Sequence, residues 1–190
     1  MNSILEKGKE VIRSEAEAIA SLEKQLNGNF VKAVETIITS NGRVILTGMG
    51  KSGIIARKIA ATMNSTGTPA LFLHPSDALH GDLGVVTPDD VVICLSKSGD
   101  TEELVRLIPR LRQIGVHIIA ITGNINSKLA RLSDIVLDAS VKTEACPHDL
   151  APTSSTTAAL VLGDALAIAL LHQHNFTKED FAFLHPAGNL

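Results

Sequence analysis

Five short apolar runs divide the chain: Arg43–Thr47, Pro69–Leu73, Asp90–Leu95, Val116–Thr122 and Ile135–Leu137. All but Pro69–Leu73 are rich in β-branched residues, and Gly, Asn, Asp and Pro punctuate the runs, which reads as strands. Longer stretches between them carry helical composition, at Lys51–Asn64, Thr101–Ile114, near Ser127–Leu132 and at Thr153–His172. Ahead of the first run, apolar residues recur at helical spacing at Ile4, Val11, Ile12, Ile19 and Leu22, predicting a helix over Ser3–Leu26. A second helix is expected over Phe30–Thr39, ended by Asn41-Gly42. Strands that are continuous apolar runs are buried on both faces, and their alternation with helices implies a parallel sheet. An open, doubly wound, five-stranded α/β sheet is therefore expected, since an eight-unit barrel needs more chain. The expected division is one domain over 1–190: two leading helices (1–41), the α/β core (42–174) and a C-terminal segment (175–190).

Composition sharpens this picture. Of 190 residues, 45% are apolar and 19% charged, against roughly 25% charged in an average soluble protein. Surplus apolar surface implies an interface with another copy of the chain. Net charge is −3, with no polybasic tract, so nucleic acid is not an expected partner. The start lacks the basic and apolar regions of a signal peptide. The most apolar stretch, Ala158–Leu171, is interrupted by Asp164 and is read as too short to span a bilayer. Two cysteines, Cys94 and Cys146, are expected as reduced thiols of a cytoplasmic protein.

In an open parallel sheet, ligands bind beyond the carboxyl ends of the strands, so the loops there carry the chemistry. After the first strand comes Gly48-Met49-Gly50-Lys51-Ser52-Gly53. It fits GxGxxG, but the second strand ends Leu71-Phe72-Leu73-His74, without the acid that would hold a dinucleotide's ribose. A P-loop would need glycine where Ile45 stands. What remains is a glycine turn into a helix start, suited to an anion. After the third strand, Ser96-Lys97-Ser98-Gly99-Asp100-Thr101 sets three hydroxyls around a glycine. That suits a phosphate monoester; it also suits an ordinary cap by Ser98 or Asp100, with Glu102 or Glu103 completing a capping box.

His74–Gly84, after the second strand, holds two histidines and two aspartates. Beyond the fifth strand, Glu144 stands among apolar residues, where burial is expected to raise its pKa towards that of a useful base. The hydroxyl-rich run Pro152–Thr157 opens the last main helix, as a cap or as a second anion cradle. His172 and His174 read as surface residues and His117 as structural.

The segments GMGKSG, HxxxxxHGDLG, SxSGxTxE, EACPxxLAPTSSTTA and FAxxHP together resemble the sugar isomerase (SIS) domain of D-arabinose 5-phosphate isomerases, from about Glu10 to His185. The resemblance implies interconversion of D-ribulose 5-phosphate and D-arabinose 5-phosphate through a cis-enediol, feeding 3-deoxy-D-manno-octulosonate synthesis for lipopolysaccharide or capsule. It implies Lys51, His80, Glu103, Glu144 and His185 as catalytic residues, and Ser52, Ser96, Ser98 and Thr101 as phosphate contacts. It also implies a homotetramer with sites shared between subunits. No cofactor and no metal are expected, though a His/Glu cluster can bind inhibitory zinc. The second position of the SxSG loop, commonly Asn in the family, is Lys97 here. The expected form lacks the paired CBS domains of many members, which leaves competition at the site by a downstream nucleotide sugar, CMP-3-deoxy-manno-octulosonate, as a means of control. Alternative readings are a non-catalytic phosphosugar-binding regulator, an isomerase of another ketose phosphate, and a dinucleotide-dependent oxidoreductase that the missing acid disfavours.

Overall fold

The computed structural model describes residues 2–186. Helices α1 (Asn2–Gln25) and α2 (Gly28–Thr39) lead into β1 (Val44–Gly48), α3 (Gly50–Ser65), β2 (Ala70–Phe72) and α4 (Pro75–Leu79). A 3-10 turn (Asp82–Val85) precedes β3 (Val91–Ser96), α5 (Glu102–Ile114), β4 (His117–Thr122), α6 (Lys128–Leu132) and β5 (Ile135–Asp138). The chain then forms α7 (Ser154–Gln173) and α8 (Lys178–Leu184). The five strands make one parallel sheet in the order β2-β1-β3-β4-β5, as the alternation of apolar runs and helices predicts.

The continuous apolar runs are explained by helices on both faces. Val44, Leu46, Ile93 and Ile119 pack with Ala33 and Ile37 of α2, Ile59 and Met63 of α3, and Leu166 and Leu170 of α7. Their neighbours Ile45, Val92, Cys94 and Ile118 point the other way, onto Leu104, Leu107, Ile108 and Leu111 of α5. This is the period-two alternation of a strand with apolar residues on both sides. Cys94 lies wholly inside the second layer, and burial pushes its thiol up to about 12. Both cysteines are free.

Three short elements carried no periodicity to predict them. Helix α4 is five residues long, starting on Pro75. The 3-10 turn has four. Helix α8 has seven, and Thr177 and Asp180 form a reciprocal capping box at its start, within the stretch expected only as a C-terminal segment. His117 opens β4 at an exposed position. Helix α7 is 20 residues long, longer than the apolar stretch read from the sequence and long enough to cross a bilayer by length and composition. In the fold it is a core helix: Ala158, Leu162, Leu166, Ala167 and Leu170 are buried against α3 and the sheet. Several large apolar side chains stay exposed, among them Ile4, Leu5 and Ile12 on α1, Ile168 on α7 and Phe183 on α8.

Candidate functional site

The strand order reverses between β1 and β3, and ligands of doubly wound sheets settle at that switch point. Both glycine-bearing loops lie there. Gly53 allows α3 to start against β1, because a Cβ at this position would sit 2.5 Å from the Gly48 carbonyl oxygen. Gly99 has φ +68°, and a Cβ there would collide with the Ser127 side chain, so the loop after β3 has one permissible residue at its bend. The two loops and the start of α7 flank a small cleft lined by Ser52, Ser96, Lys97, Thr122, Ser155 and Thr156 among others.

Within the loop, Ser96 Oγ and Thr101 Oγ1 lie 2.9 Å apart. Gly99 N donates to Ser96 Oγ at 3.0 Å and Asp100 N to Ser98 Oγ at 3.2 Å. The expected cap of α5 by Ser98 or Asp100 is not formed. Thr101 is the N-cap and makes no side-chain capping bond, while Asp100 Oδ1 accepts instead from Lys128 N. Helix α5 therefore begins beside the cleft without a side-chain cap, with an acidic first turn of Glu102 and Glu103.

Glu144 is the most heavily bonded residue of the region. Its side chain is 0% exposed. Oε2 accepts from Thr153 N (2.9 Å), Thr153 Oγ1 (3.2 Å) and Ser155 N (3.1 Å). Oε1 accepts from Ser155 Oγ and lies 2.7 Å from Lys97 Nζ. The segment carrying Glu144 is pinned in turn: Asp149, at φ +54°, accepts from Glu144 N, and Ala145 N donates to Thr153 Oγ1. Burial acts to raise the carboxyl pKa, as the sequence suggests, but the Lys97 ammonium, the Ser155 hydroxyl and the Thr153 and Ser155 N–H groups outweigh it and hold the carboxyl at about 2. The expectation of a raised pKa is thus corrected. Apolar neighbours in sequence did not reveal that the start of α7 supplies donors. The hydroxyl run opening α7 is an anion cradle, and the anion it holds is the protein's own carboxylate.

The other residues singled out are spread over two ends of the sheet. Lys51 is exposed in the first turn of α3, Glu103 is half-buried in the first turn of α5, and His80 is exposed at the end of α4, beyond β2. All three belong to the carboxyl edge of the sheet, with Ser52, Ser96, Ser98, Thr101 and Glu144. His185 does not. It follows α8, its Nδ1 lies 2.8 Å from Phe181 O, and its ring stacks on Phe181. Helix α8 packs beside Asn64, Gly67 and Pro69, at the far end of α3 from Lys51. Those 16 residues separate the two ends by roughly 24 Å. Among the described residues, no group of three or more His, Cys, Asp or Glu is arranged to hold a metal ion.

Residues 37–169 match the SIS domain family. The chain belongs to the SIS-domain family. This SIS domain is 56% identical over 176 residues to the arabinose 5-phosphate isomerase KdsD of Pseudomonas aeruginosa, covering 93% of this chain and 54% of the relative. To the KdsD of Escherichia coli K12 it is 55% identical over 183 residues, covering 96% and 56%. The chain thus spans about half the length of the curated relatives it matches. Among solved structures, E. coli CFT073 c3406 in complex with arabinose 5-phosphate superposes with a TM-score of 0.94 at 40% identity, covering 97% of this chain and 98% of that one. The five-stranded parallel architecture is that of the family.

Proposed function

We propose that this SIS domain is an aldose–ketose isomerase that interconverts D-ribulose 5-phosphate and D-arabinose 5-phosphate through a cis-enediol. The observation that carries the reading is the structural neighbour bound to arabinose 5-phosphate, which covers 97% of this chain at a TM-score of 0.94. The names of the curated relatives, at more than half identity, support the same substrate pair. The product would feed synthesis of 3-deoxy-D-manno-octulosonate in the cytoplasm.

Moving the carbonyl between C1 and C2 takes one proton off one carbon and returns one to its neighbour. The site must supply a base, an electrophile for the developing oxyanion and a grip on the unreactive end. Ser52, Ser96, Ser98 and Thr101 provide the grip on the phosphate, aided by the uncapped start of α5. Such a hold orients the reacting carbons. Lys51 stabilises the enediolate oxygen. Glu103 or Glu144 takes the carbon-bound proton. His80 and His185 move protons between oxygens or open a cyclic substrate.

His185 lies too far from Lys51 of its own chain for both to act on one sugar. It serves the site of a second copy, and the exposed apolar residues of α1, α7 and α8 supply surface for a homotetramer. A downstream nucleotide sugar, CMP-3-deoxy-manno-octulosonate, would compete at the same cleft.

The test compares turnover of D-ribulose 5-phosphate with that of hexulose and heptulose phosphates, then mixes two inactive variants, Lys51→Ala and His185→Ala. Preference for D-ribulose 5-phosphate and recovery of activity on mixing are expected. Binding without turnover of any ketose phosphate would make the domain a sugar-phosphate-binding regulator. Mixing that restores nothing would place His185 outside the shared site.

A further inference from the structure

Lys97 lies at the junction of the two anion sites. It follows Ser96, the last residue of β3, and is the only charged side chain among the described residues lining the cleft. Its side chain is 43% exposed while its partner Glu144 is wholly enclosed. The ammonium thus reaches out of solvent, across the cleft, onto a buried carboxylate.

We propose, on the reading of this site as a sugar-phosphate isomerase, that Lys97 is shared between Glu144 and the phosphate of the bound sugar. Phosphate binding draws the ammonium off the carboxylate and releases Glu144 to accept a proton. Three observations carry this. First, the carboxylate does not depend on Lys97 to stay hydrogen-bonded: with Lys97 gone, Thr153 N, Thr153 Oγ1, Ser155 N and Ser155 Oγ still donate to it. Its geometry survives, but its charge is then offset by dipoles alone, and a buried carboxylate without a cation binds protons more readily. Second, a phosphate dianion carries twice the charge of Glu144 and attracts the ammonium correspondingly more strongly at equal distance. Third, the expected phosphate contacts Ser96, Ser98 and Thr101 flank Lys97 in the same loop. The four-carbon stem can therefore change partners by side-chain rotation, leaving the backbone bond from Gly123 N to Lys97 O intact.

The consequence is a base that stays quiet while the cleft lacks a phosphate and becomes active when a phosphorylated sugar arrives. Sugars without phosphate would be rejected in the chemical step as well as in binding. Other charged or titratable groups on the surrounding elements include Lys142, Cys146, His148 and Asp149 on the segment carrying Glu144, Asp100 in the Lys97 loop, Lys51 in the first turn of α3, and Glu15 of α1, which accepts from Thr157 Oγ1. None of them is a cation held against the carboxylate.

Sulfate, a dianion throughout the range from pH 4 to 8, serves as the probe. In protein labelled with 13C at glutamate carboxyls, with Glu144→Gln to assign the resonance, Glu144 is expected to show no titration over pH 4 to 8 without sulfate and a clear titration with it. In Lys97→Met the resonance should titrate in that window with or without sulfate, and sulfate should bind at least tenfold more weakly. A Glu144 resonance that stays untitrated in sulfate-saturated wild type overturns the proposal, as does unchanged sulfate affinity in Lys97→Met. Because this readout involves no turnover, such a failure leaves the isomerase reading standing. That reading falls separately if D-ribulose 5-phosphate is not converted.

Discussion

Two sets of helix starts behave differently in this fold. Helices α2, α6 and α8 are capped by the side chains of Asn27, Ser127 and Thr177, each accepting a backbone N–H of the first turn. Helices α3, α5 and α7, which begin around the β1/β3 switch point, have no side-chain capping bond from Met49, Thr101 or Thr153. Ordinary capping is worth about 1 kcal/mol per helix, so forgoing it three times around one cleft needs a reason. At α7 the reason is visible, since Glu144 occupies the start. At α3 and α5 the free starts face the cleft assigned to the phosphate. Helix α4, which starts on Pro75 after His74, also lacks a side-chain cap, so an uncapped start does not by itself mark an anion site; at α3 and α5 the phosphate is the proposed occupant.

The contrast is broken most forcefully at Glu144. Glu144→Gln keeps the shape of the cradle's occupant and removes its charge, and turnover of D-ribulose 5-phosphate should fall roughly 1000-fold, the scale of a lost general base. Undiminished kcat would remove Glu144 from that role. The same carboxylate governs acid stability. Its folded pKa of about 2 lies below its ordinary value of 4.5. The stabilisation is therefore complete above about pH 4.5 and is lost as pH falls towards 2, amounting to about 3 kcal/mol. Urea unfolding at stepped pH should show this loss in wild type and a shallower acid slope in Glu144→Gln.

A smaller effect is expected at the bend before α5. Gly99→Ala would force a side chain onto Ser127 at a positive φ and should cost about 2 kcal/mol together with phosphate affinity. Gly84→Ala, with open space around it, should leave both unchanged; equal effects at the two glycines would mean the bend is not constrained. The smallest effect belongs to the capped set. Thr177→Ala should lower stability by about 1 kcal/mol and, by loosening the helix that carries His185, reduce kcat in the assembled protein more than Ser127→Ala does. Matching kinetics for the two variants would argue against a role for α8 in the site.

The sheet and its helices were legible because each strand is a buried run bounded by turn residues, and each long helix spans several turns. The two glycine-bearing loops were legible as turns from strand end into helix start, while the sequence left open whether they serve a phosphate or an ordinary cap. The protonation state of Glu144 was not. Its local sequence is apolar, and the donors that hold it come from nine and eleven residues downstream, while Lys97 comes from another loop altogether. Nor could periodicity show that His185 lies at the opposite edge of the sheet from Lys51, since that depends on the direction in which α3 runs back along the strands.

One measurement bears on the central claim most directly. Protein treated with chelator is mixed with D-ribulose 5-phosphate in deuterated water and followed by NMR. The account predicts D-arabinose 5-phosphate, with deuterium at C2 to the extent that the protonated base exchanges with solvent before it returns its proton to the enediol. Clear binding of the substrate with no product would contradict it.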